Sequence, residues 1–322
     1  MLMAAGLGTR LRPFTEMEPK ALLPLMGVPM AQFAVDALAA GGVTHVVANI
    51  HHHAERAREG FARLEAGPGM SIELSDESGE LLGSAGGIRK ALPLFGGDAF
   101  FLVNADVLCE VDLAALARAH ALNRSRHGAV LTLTVFRAGP AGGKYREILF
   151  DADQGLVTGF GVPVEGRPYF VGAAVIEPEA LANVPGGPQE FVPTILEPAI
   201  REGKAGLYLA EGQWHDVGSP QLWLNTHTSL IEGLECGRMP ALWRERVERS
   251  AKRVAPNVWV SRKGTKSFNA SEWAGPVYWD AMGDETARPP QKFGPRAVMY
   301  GSAHSPGETF SGGIGYRGVW VR

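Results

Sequence analysis

The chain has 322 residues, 45% of them hydrophobic and 20% charged, with a formal net charge of -3. These are ordinary values for a globular protein and suit one large α/β domain with an appendage, or two domains. The slight acidic balance excludes a global basic field for nucleic acid, so cations for any anionic ligand must be placed locally. Two cysteines, Cys109 and Cys236, make no disulfide framework and fit a reduced, cytoplasmic compartment. No basic segment leads into an apolar core at the start, so no signal peptide is expected. The least charged stretch, Ala21 to Ile50, is broken by Pro24, Pro29, Gln32, Asp36 and Gly41-Gly42, and no membrane span is expected.

In chain order, Met1 to Ala5 reads as a strand followed by a Gly-rich loop. Pro29 opens a helix to about Ala40, stopped by Gly41. Thr44 to Asn49 is a strand, His53 to Glu65 a helix with Phe61 and Leu64 inward, and Met70 to Leu74 a strand. Ser84 is placed to cap a helix reaching Ala91. Ala99 to Asn104 is a continuously apolar strand of the kind found in a buried parallel sheet, and Asp112 caps the next helix. This β-α-β-α order argues for an open parallel sheet with helices on both faces. From Gly128 the pattern turns β-rich: strands at Ala129–Phe136, Glu147–Phe150, Gly155–Phe160 and Phe170–Ile176. Helices return at Phe191–Arg201 and Pro220–Ile231, and a charged helix spans about Arg238 to Arg253 with Trp243 and Val247 as its apolar stripe. Val254 to Arg322 has no helical period and reads as a small β-rich appendage.

The first loop is Ala4-Ala5-Gly6-Leu7-Gly8-Thr9-Arg10-Leu11-Arg12-Pro13. It follows a strand, where backbone N–H groups can cradle phosphate oxygens and glycine keeps a Cβ out of the way. No Gly-Lys-Ser/Thr follows, which rules out a P-loop, and Leu11 stands where a dinucleotide fingerprint needs its third small residue. Arg10 offers a planar fork for a triphosphate. Lys20, in Pro19-Lys20-Ala21-Leu22-Leu23-Pro24, is a lone cation in a proline-framed apolar segment that can aim its ammonium at a phosphate. Asp106 ends an apolar strand, the end beyond which open α/β sheets bind ligands. Asp216, in Trp214-His215-Asp216-Val217-Gly218-Ser219-Pro220, precedes a glycine turn and a helix start. Two such carboxylates with phosphate oxygens and waters suit Mg²⁺. The His51-His52-His53 run looks like a metal tract but is not counted as a site.

Together these runs resemble the signature of the sugar-1-phosphate nucleotidylyltransferases, and the resemblance extends with gaps from Met1 to about Leu230. It implies an α/β fold: a doubly wound, largely parallel, Rossmann-like sheet with an inserted β-rich sugar-binding part. It implies catalytic roles for Arg10 and Lys20, and nucleotide binding by Ala5, Gly6, Gly8 and Thr9. The metal roles carry to Asp106 and Asp216, with Mg²⁺ as cofactor, and the partners implied are an NTP and a sugar 1-phosphate. Glu77 to Gly87 is similar to the family segment that lies against the nucleobase, which places Glu77, Gly83 and Ser84 there. Phe170-Val171-Gly172 resembles the family strand whose glycine leaves room for the sugar. Many relatives carry a Glu-Lys-Pro whose lysine meets the sugar phosphate. Here Phe160-Gly161-Val162-Pro163 stands instead, with Lys144 or Arg146 as candidate substitutes. The family also has several residues before Ala-Ala-Gly, and here three precede it, so the first strand is short or the chain begins at an internal methionine.

The expected domains are a catalytic domain over 1–235, a helical linker over 236–253 and a β-rich tail over 254–322 with at most one or two degenerate left-handed β-helix turns. The tail's aromatics are expected to pack on the catalytic domain, on the helix near Trp243 or on a second copy, with a homo-oligomer formed through the tail as one outcome. Removal of 254–322 is expected to leave the active-site residues in place. The tail leans toward mannose-1-phosphate guanylyltransferase. The absent lysine leans toward uridylyltransferases for N-acetylmuramate or hexose 1-phosphate. A silent sugar-nucleotide sensor is the rival from another class, disfavoured because Arg10, Lys20, Asp106 and Asp216 are all present.

Overall fold

The computed structural model describes residues 1–137, 145–263, 270–284, 286–287, 289–303 and 309–322; Lys144 and Phe268 lie outside them. The chain forms two compact units, one of residues 1–7 and 34–214, the other of residues 8–33 and 215–322. These limits differ from those read in the sequence, because the segment carrying Arg10 and Lys20 groups with the C-terminal third.

The first unit is built on a nine-stranded sheet. Its strands in chain order are β1 (Leu2–Met3), β2 (His45–Ile50), β3 (Ser71–Asp76), β4 (Phe100–Asn104), β5 (Leu131–Phe136), β6 (Arg146–Asp151), β7 (Leu156–Pro163), β8 (Tyr169–Ile176) and β9 (Ala205–Ala210). The spatial order is β3-β2-β1-β4-β8-β5-β9-β7-β6. β3, β2, β1 and β4 are mutually parallel, as are β5 and β9; β8 and β7 run against their neighbours. The α/β expectation of a doubly wound, largely parallel sheet with a β-rich insertion therefore holds, and among the described residues every antiparallel pair of this sheet involves β7 or β8 of that insertion. Helix α1 (Met30–Ala40) crosses the division between the units; α2 (Ala54–Ala62), α3 (Gly83–Ala91) and α4 (Leu113–His127) belong to the first.

Local chemistry explains these elements. Every residue of β5 is buried, as an interior strand requires. Asp112 accepts the Ala115 N–H at 2.8 Å and caps α4, which ends at Gly128 with φ 63°. The core gathers Val47, Leu102, Leu131, Leu133, Val135, Ile176 and Leu207 from the sheet with Ile88 of α3. Two expectations change. β9 was not read from the sequence. Ser84 does not cap α3: the cap position is Leu82, without a side-chain bond, and Ser84 lies in the first turn.

The second unit holds α5 (Pro220–Glu235), capped by the Ser219 hydroxyl on the Leu222 N–H, and α6 (Ala241–Ser250). Its sheet, in both spatial and chain order, is β10 (Ala251–Ala255), β11 (Val258–Ser261), β12 (Val277–Asp280), β13 (Ala297–Tyr300), β14 (Gly313–Tyr316) and β15 (Val319–Val321). β11 to β14 are parallel and in register, Val258 beside Val277, Val277 beside Ala297 and Ala297 beside Gly313, at intervals of 19, 20 and 16 residues. A second parallel row joins Trp273, Phe293 and Phe310. This is a coiled stack of four rungs, more than the one or two turns expected. Val260, Trp273, Val277, Trp279, Phe293 and Met299 fill its interior.

Candidate active site

In the first unit the chain runs from β1 outward to β2 and β3, then returns to place β4 on the other side of β1. Ligands bind at such switch points, beyond the carboxyl ends of the strands. A cleft of about 380 Å³ lies there. Met3, Ala5 and Gly6 line it from the end of β1, Asn49 from β2, and Asn104 and Asp106 from the end of β4. Gly83 and Ser84 enter from the start of α3, and Phe170, Glu190 and Phe191 complete the wall. A Cβ built on Gly6 would meet nothing within 4 Å, so its backbone faces open space. The structure thus brings together Ala5, Gly6, Gly83, Ser84 and Asp106.

Glu77 lies behind the cleft, 1% exposed. Asn49 donates to its Oε1 at 2.7 Å, and the Leu82 N–H reaches its Oε2 at 3.3 Å. Burial pushes the Glu77 carboxyl above its usual range, with these bonds pulling the other way. The other end of the Asn49 amide accepts the N–H groups of Ala4 at 2.7 Å and Ala5 at 3.3 Å. Glu77 therefore acts on the Gly-rich loop through Asn49. Ser84 donates to Glu190 at 2.7 Å and accepts the Phe191 N–H at 2.7 Å. Asn49 and Glu190 escaped the sequence reading because their partners are 28 or more residues away.

Gly172 sits on β8 with φ 86°, and a Cβ there would stand 2.8 Å from the Asn104 amide nitrogen. A larger residue would displace Asn104 from the cleft wall. Trp214 donates to the Val171 carbonyl at 2.9 Å and packs edge-on with Tyr145 and Tyr169, which makes it a wall of that small aromatic core. Of the candidate substitutes for the missing lysine, Arg146 lies 3.9 Å over the Phe160 ring and 3.7 Å from Glu197, and Lys144 is outside the described residues.

In the second unit, Gly8 takes φ 60° and starts the turn Thr9–Leu11 that carries Arg10. Thr15 donates to the Gly8 carbonyl at 2.9 Å. A Cβ on Gly8 would stand 2.8 Å from Thr15 and 3.2 Å from the Lys20 stem, so glycine lets the loop close over these two residues. Lys20 opens the turn Lys20–Leu22 and is 8% exposed, more buried than a cleft-facing lysine was expected to be. Arg10 and Asp216 meet around Gly218: a Cβ there would lie 2.8 Å from the guanidinium and 2.9 Å from the carboxylate. This unit therefore groups Gly8, Thr9, Arg10, Lys20 and Asp216.

Asp106 and Asp216 both present hard carboxylate oxygens, the donor class that suits Mg²⁺. Among the described residues no group of three or more His, Cys, Asp or Glu side chains forms a cage for a metal, the His51-His52-His53 run included. An ion held by either aspartate would complete its shell with phosphate oxygens and water. No helix among the described residues is long and apolar enough to cross a membrane.

The family model described as nucleotidyl transferase matches residues 1–160. The N-acetylmuramate alpha-1-phosphate uridylyltransferase of Caulobacter vibrioides is 33% identical over 236 residues, 72% of this chain and 96% of that protein. The mannose-1-phosphate guanyltransferase of Aspergillus oryzae is 30% identical over 268 residues, 80% of this chain and 67% of that protein. That of Eremothecium gossypii is 34% identical over 69% of this chain and 61% of its own length. Among solved structures, HddC from Yersinia pseudotuberculosis complexed with GMP-PN superposes with a TM-score of 0.59 at 19% identity, covering 70% of this chain and 96% of that one.

Proposed function

The chain belongs to the nucleotidyl transferase family, and on that footing we propose that it joins GTP to mannose 1-phosphate, giving GDP-mannose and pyrophosphate. The reaction class rests on the cleft at the ends of β1, β2 and β4, whose lining includes Gly6, Ser84 and Asp106 of the three signature segments. The substrate pair rests on the tail. The uridylyltransferase relative is matched along 96% of its length, but that match covers 72% of this chain. The four-rung parallel stack favours the guanylyl reading. A second reading, transfer from UTP to N-acetylmuramate 1-phosphate, is favoured by Phe160-Gly161-Val162-Pro163 standing in place of the lysine motif.

In either case the nucleophile is a phosphate oxygen already charged. It forms a bond to the α-phosphorus of the NTP in line with the departing pyrophosphate, whose bridging oxygen takes the electron pair of the bond that breaks. The barrier is charge repulsion and alignment. Arg10 would neutralise the triphosphate with its planar fork, and Lys20 would act as a point charge on the transition state. Gly6 and the Asn49-braced backbone before it give the phosphates close access to the main chain. Ser84 and Gly83 would lie against the base, with Gly172 and Asn104 on the sugar side. Asp106 and Asp216 would each offer a carboxylate to bound Mg²⁺, which would supply charge neutralisation for the phosphates.

A pyrophosphate-release screen tests both readings. GTP, UTP, ATP and CTP are each paired with mannose 1-phosphate, N-acetylmuramate 1-phosphate and glucose 1-phosphate. The highest kcat/KM for GTP with mannose 1-phosphate supports the first reading. The highest value for UTP with N-acetylmuramate 1-phosphate replaces it with the second. No release with any pair sinks both.

A further inference from the structure

We propose that the C-terminal sheet and helix α5 position the signature lysine by gripping the chain on both sides of Lys20, with Tyr300 and His227 as the positioning pair. The role given to Lys20 rests on the reading above. The grip itself rests on contacts within the second unit.

On the upstream side, the Glu18 carboxylate lies 3.4 Å from the Tyr316 hydroxyl at the end of β14 and 3.4 Å from the Arg317 guanidinium. On the downstream side, Pro24-Leu25 pairs with Val28-Pro29 in a tight hairpin. Its turn residues, Met26 and Gly27, have φ 51° and 79°. Glycine adopts this region freely, but methionine does so rarely, so the surroundings must hold Met26 there. Three distant elements hold this turn, two of them at Met26 itself. The Met26 N–H donates to His227 Nε2 of α5 at 3.3 Å. The Ser250 hydroxyl at the end of α6 donates to the Met26 carbonyl at 2.8 Å. The Gly27 N–H points at the Tyr300 hydroxyl of β13 at 3.4 Å.

The Tyr300 hydroxyl joins these contacts. It lies 2.7 Å from His227 Nε2 and 3.1 Å from the Pro24 carbonyl. His227 Nδ1 is 2.9 Å from the Trp223 carbonyl, which fixes the proton on Nδ1 and leaves Nε2 as the acceptor that Met26 needs. Trp223 stacks on the Tyr300 ring and donates to the same Pro24 carbonyl at 2.9 Å. His227 and Tyr300 are essentially unexposed. The hairpin in turn is tied to the lysine: the Leu23 N–H donates to the Lys20 carbonyl, and the Met30 N–H to the Leu23 carbonyl. A shift of the Met26-Gly27 turn is therefore passed to Lys20 through a short, hydrogen-bonded path. Packing alone would require apolar surface here. What the tail and α5 supply is a hydroxyl and an imidazole nitrogen aimed at the backbone of one turn.

The test uses the full chain with Tyr300→Phe, His227→Gln and the double variant, beside Val260→Ala in the stack interior as a control for lost stability. The expected result is a fall in kcat of about tenfold or more in each single variant, the scale on which a small misplacement of a catalytic group is felt. KM for the sugar phosphate should stay unchanged. The double variant should fall no further than the worse single one, since both act on one turn. Amide hydrogen exchange at Met26 and Gly27 should quicken in the variants and not in Val260→Ala. The proposal is overturned if folded Tyr300→Phe and His227→Gln keep the wild-type kcat and exchange, or if Val260→Ala loses as much activity at equal loss of Tm. Absence of turnover in the wild-type protein would refute the functional reading alone, and exchange at the two amides would still decide whether the grip exists.

Discussion

At the scale of single residues, Asn49 serves three groups with one amide: the N–H donors of Ala4 and Ala5 and the Glu77 carboxylate. Asn49→Ala strips all three of a partner inside the protein. At roughly 1–3 kcal/mol for each buried group left unsatisfied, the variant is expected to lose about 3 kcal/mol or more, read from urea unfolding. A loss below about 1 kcal/mol would mean that water replaces the amide. His227 makes a different prediction. Burial lowers its pKa to about 4, and that of His215 likewise, whereas both titrate near 6.5 in an unfolded chain. Between pH 6.5 and 4 the unfolded chain takes up protons that the folded chain refuses, so these groups erode stability as pH falls through that window and have no effect above it. Asp280 acts in the opposite sense, since burial raises its carboxyl and protonation then favours the fold. The Tm of His227→Gln should therefore change less than that of the wild type between pH 6.5 and 4. Equal slopes would show that His227 titrates as it does in water. None of this was legible in the sequence, where Asn49 is one polar residue at the end of an apolar run and His227 one of nine histidines.

At the scale of elements, the loop from Gly8 to Lys20 carries the clearest expectation. Lys20→Met keeps the buried stem and removes the charge. Arg10→Gln removes the fork from an exposed turn. Each should lower kcat and kcat/KM together by about a hundredfold or more, the usual cost of losing a contact made mainly in the transition state. Tm should drop more for Lys20→Met, given its burial. Full activity in either folded variant would remove that residue from the mechanism. The motifs of this loop were legible because they are contiguous, and so was β4, because a continuous apolar run ending in Asn104-Ala105-Asp106 declares both a buried strand and its functional end. The hairpin at Pro24–Pro29 was not, since two prolines read as breakers until a paired partner is seen. β9 escaped for another reason: it is as long as β5, but it opens on Ala205 and Gly206, weak strand formers, and its partner β5 lies some 70 residues earlier. Ser84 was misread as a cap because a serine before a helical run suits that role, and only the fold shows Glu190 and Phe191 competing for its hydroxyl.

At the scale of the whole molecule, the reaction is expected to need a divalent cation. EDTA should abolish pyrophosphate release and Mg²⁺ should restore it, and Asp106→Asn and Asp216→Asn should each reduce kcat by about a hundredfold or more. Full turnover in excess chelator would exclude the metal from the mechanism. The expected effect of removing the tail changes in the light of the fold. Deletion of 254–322 takes away Tyr300 and Tyr316, and with them the contacts to Pro24, Gly27 and Glu18. The shortened protein should lose most of its activity even where it stays folded, as measured by turnover beside circular dichroism. Wild-type turnover in the truncated chain would show that the contacts are dispensable. The tail's β character was legible from its missing helical period. Its regular stack was not, because the rungs differ in length and only the pairing of Val258, Val277, Ala297 and Gly313 aligns them.

The joining of residues 8–33 with residues 215–322 also sets an order in time. Pro24 meets Tyr300 across 276 residues of chain. During synthesis the signature segment leaves the ribosome long before its partner strands are made. The stretch from Ala34 to Trp214 can gather its own sheet meanwhile, but the lysine segment must wait, with its apolar Ala21 to Leu25 uncovered, until β13 and β14 have been made. A nascent chain halted before β13 would therefore carry the cleft of the first unit and an undocked lysine segment. The lysine segment and the strands that hold it are thus made far apart in time and meet only once β13 and β14 exist.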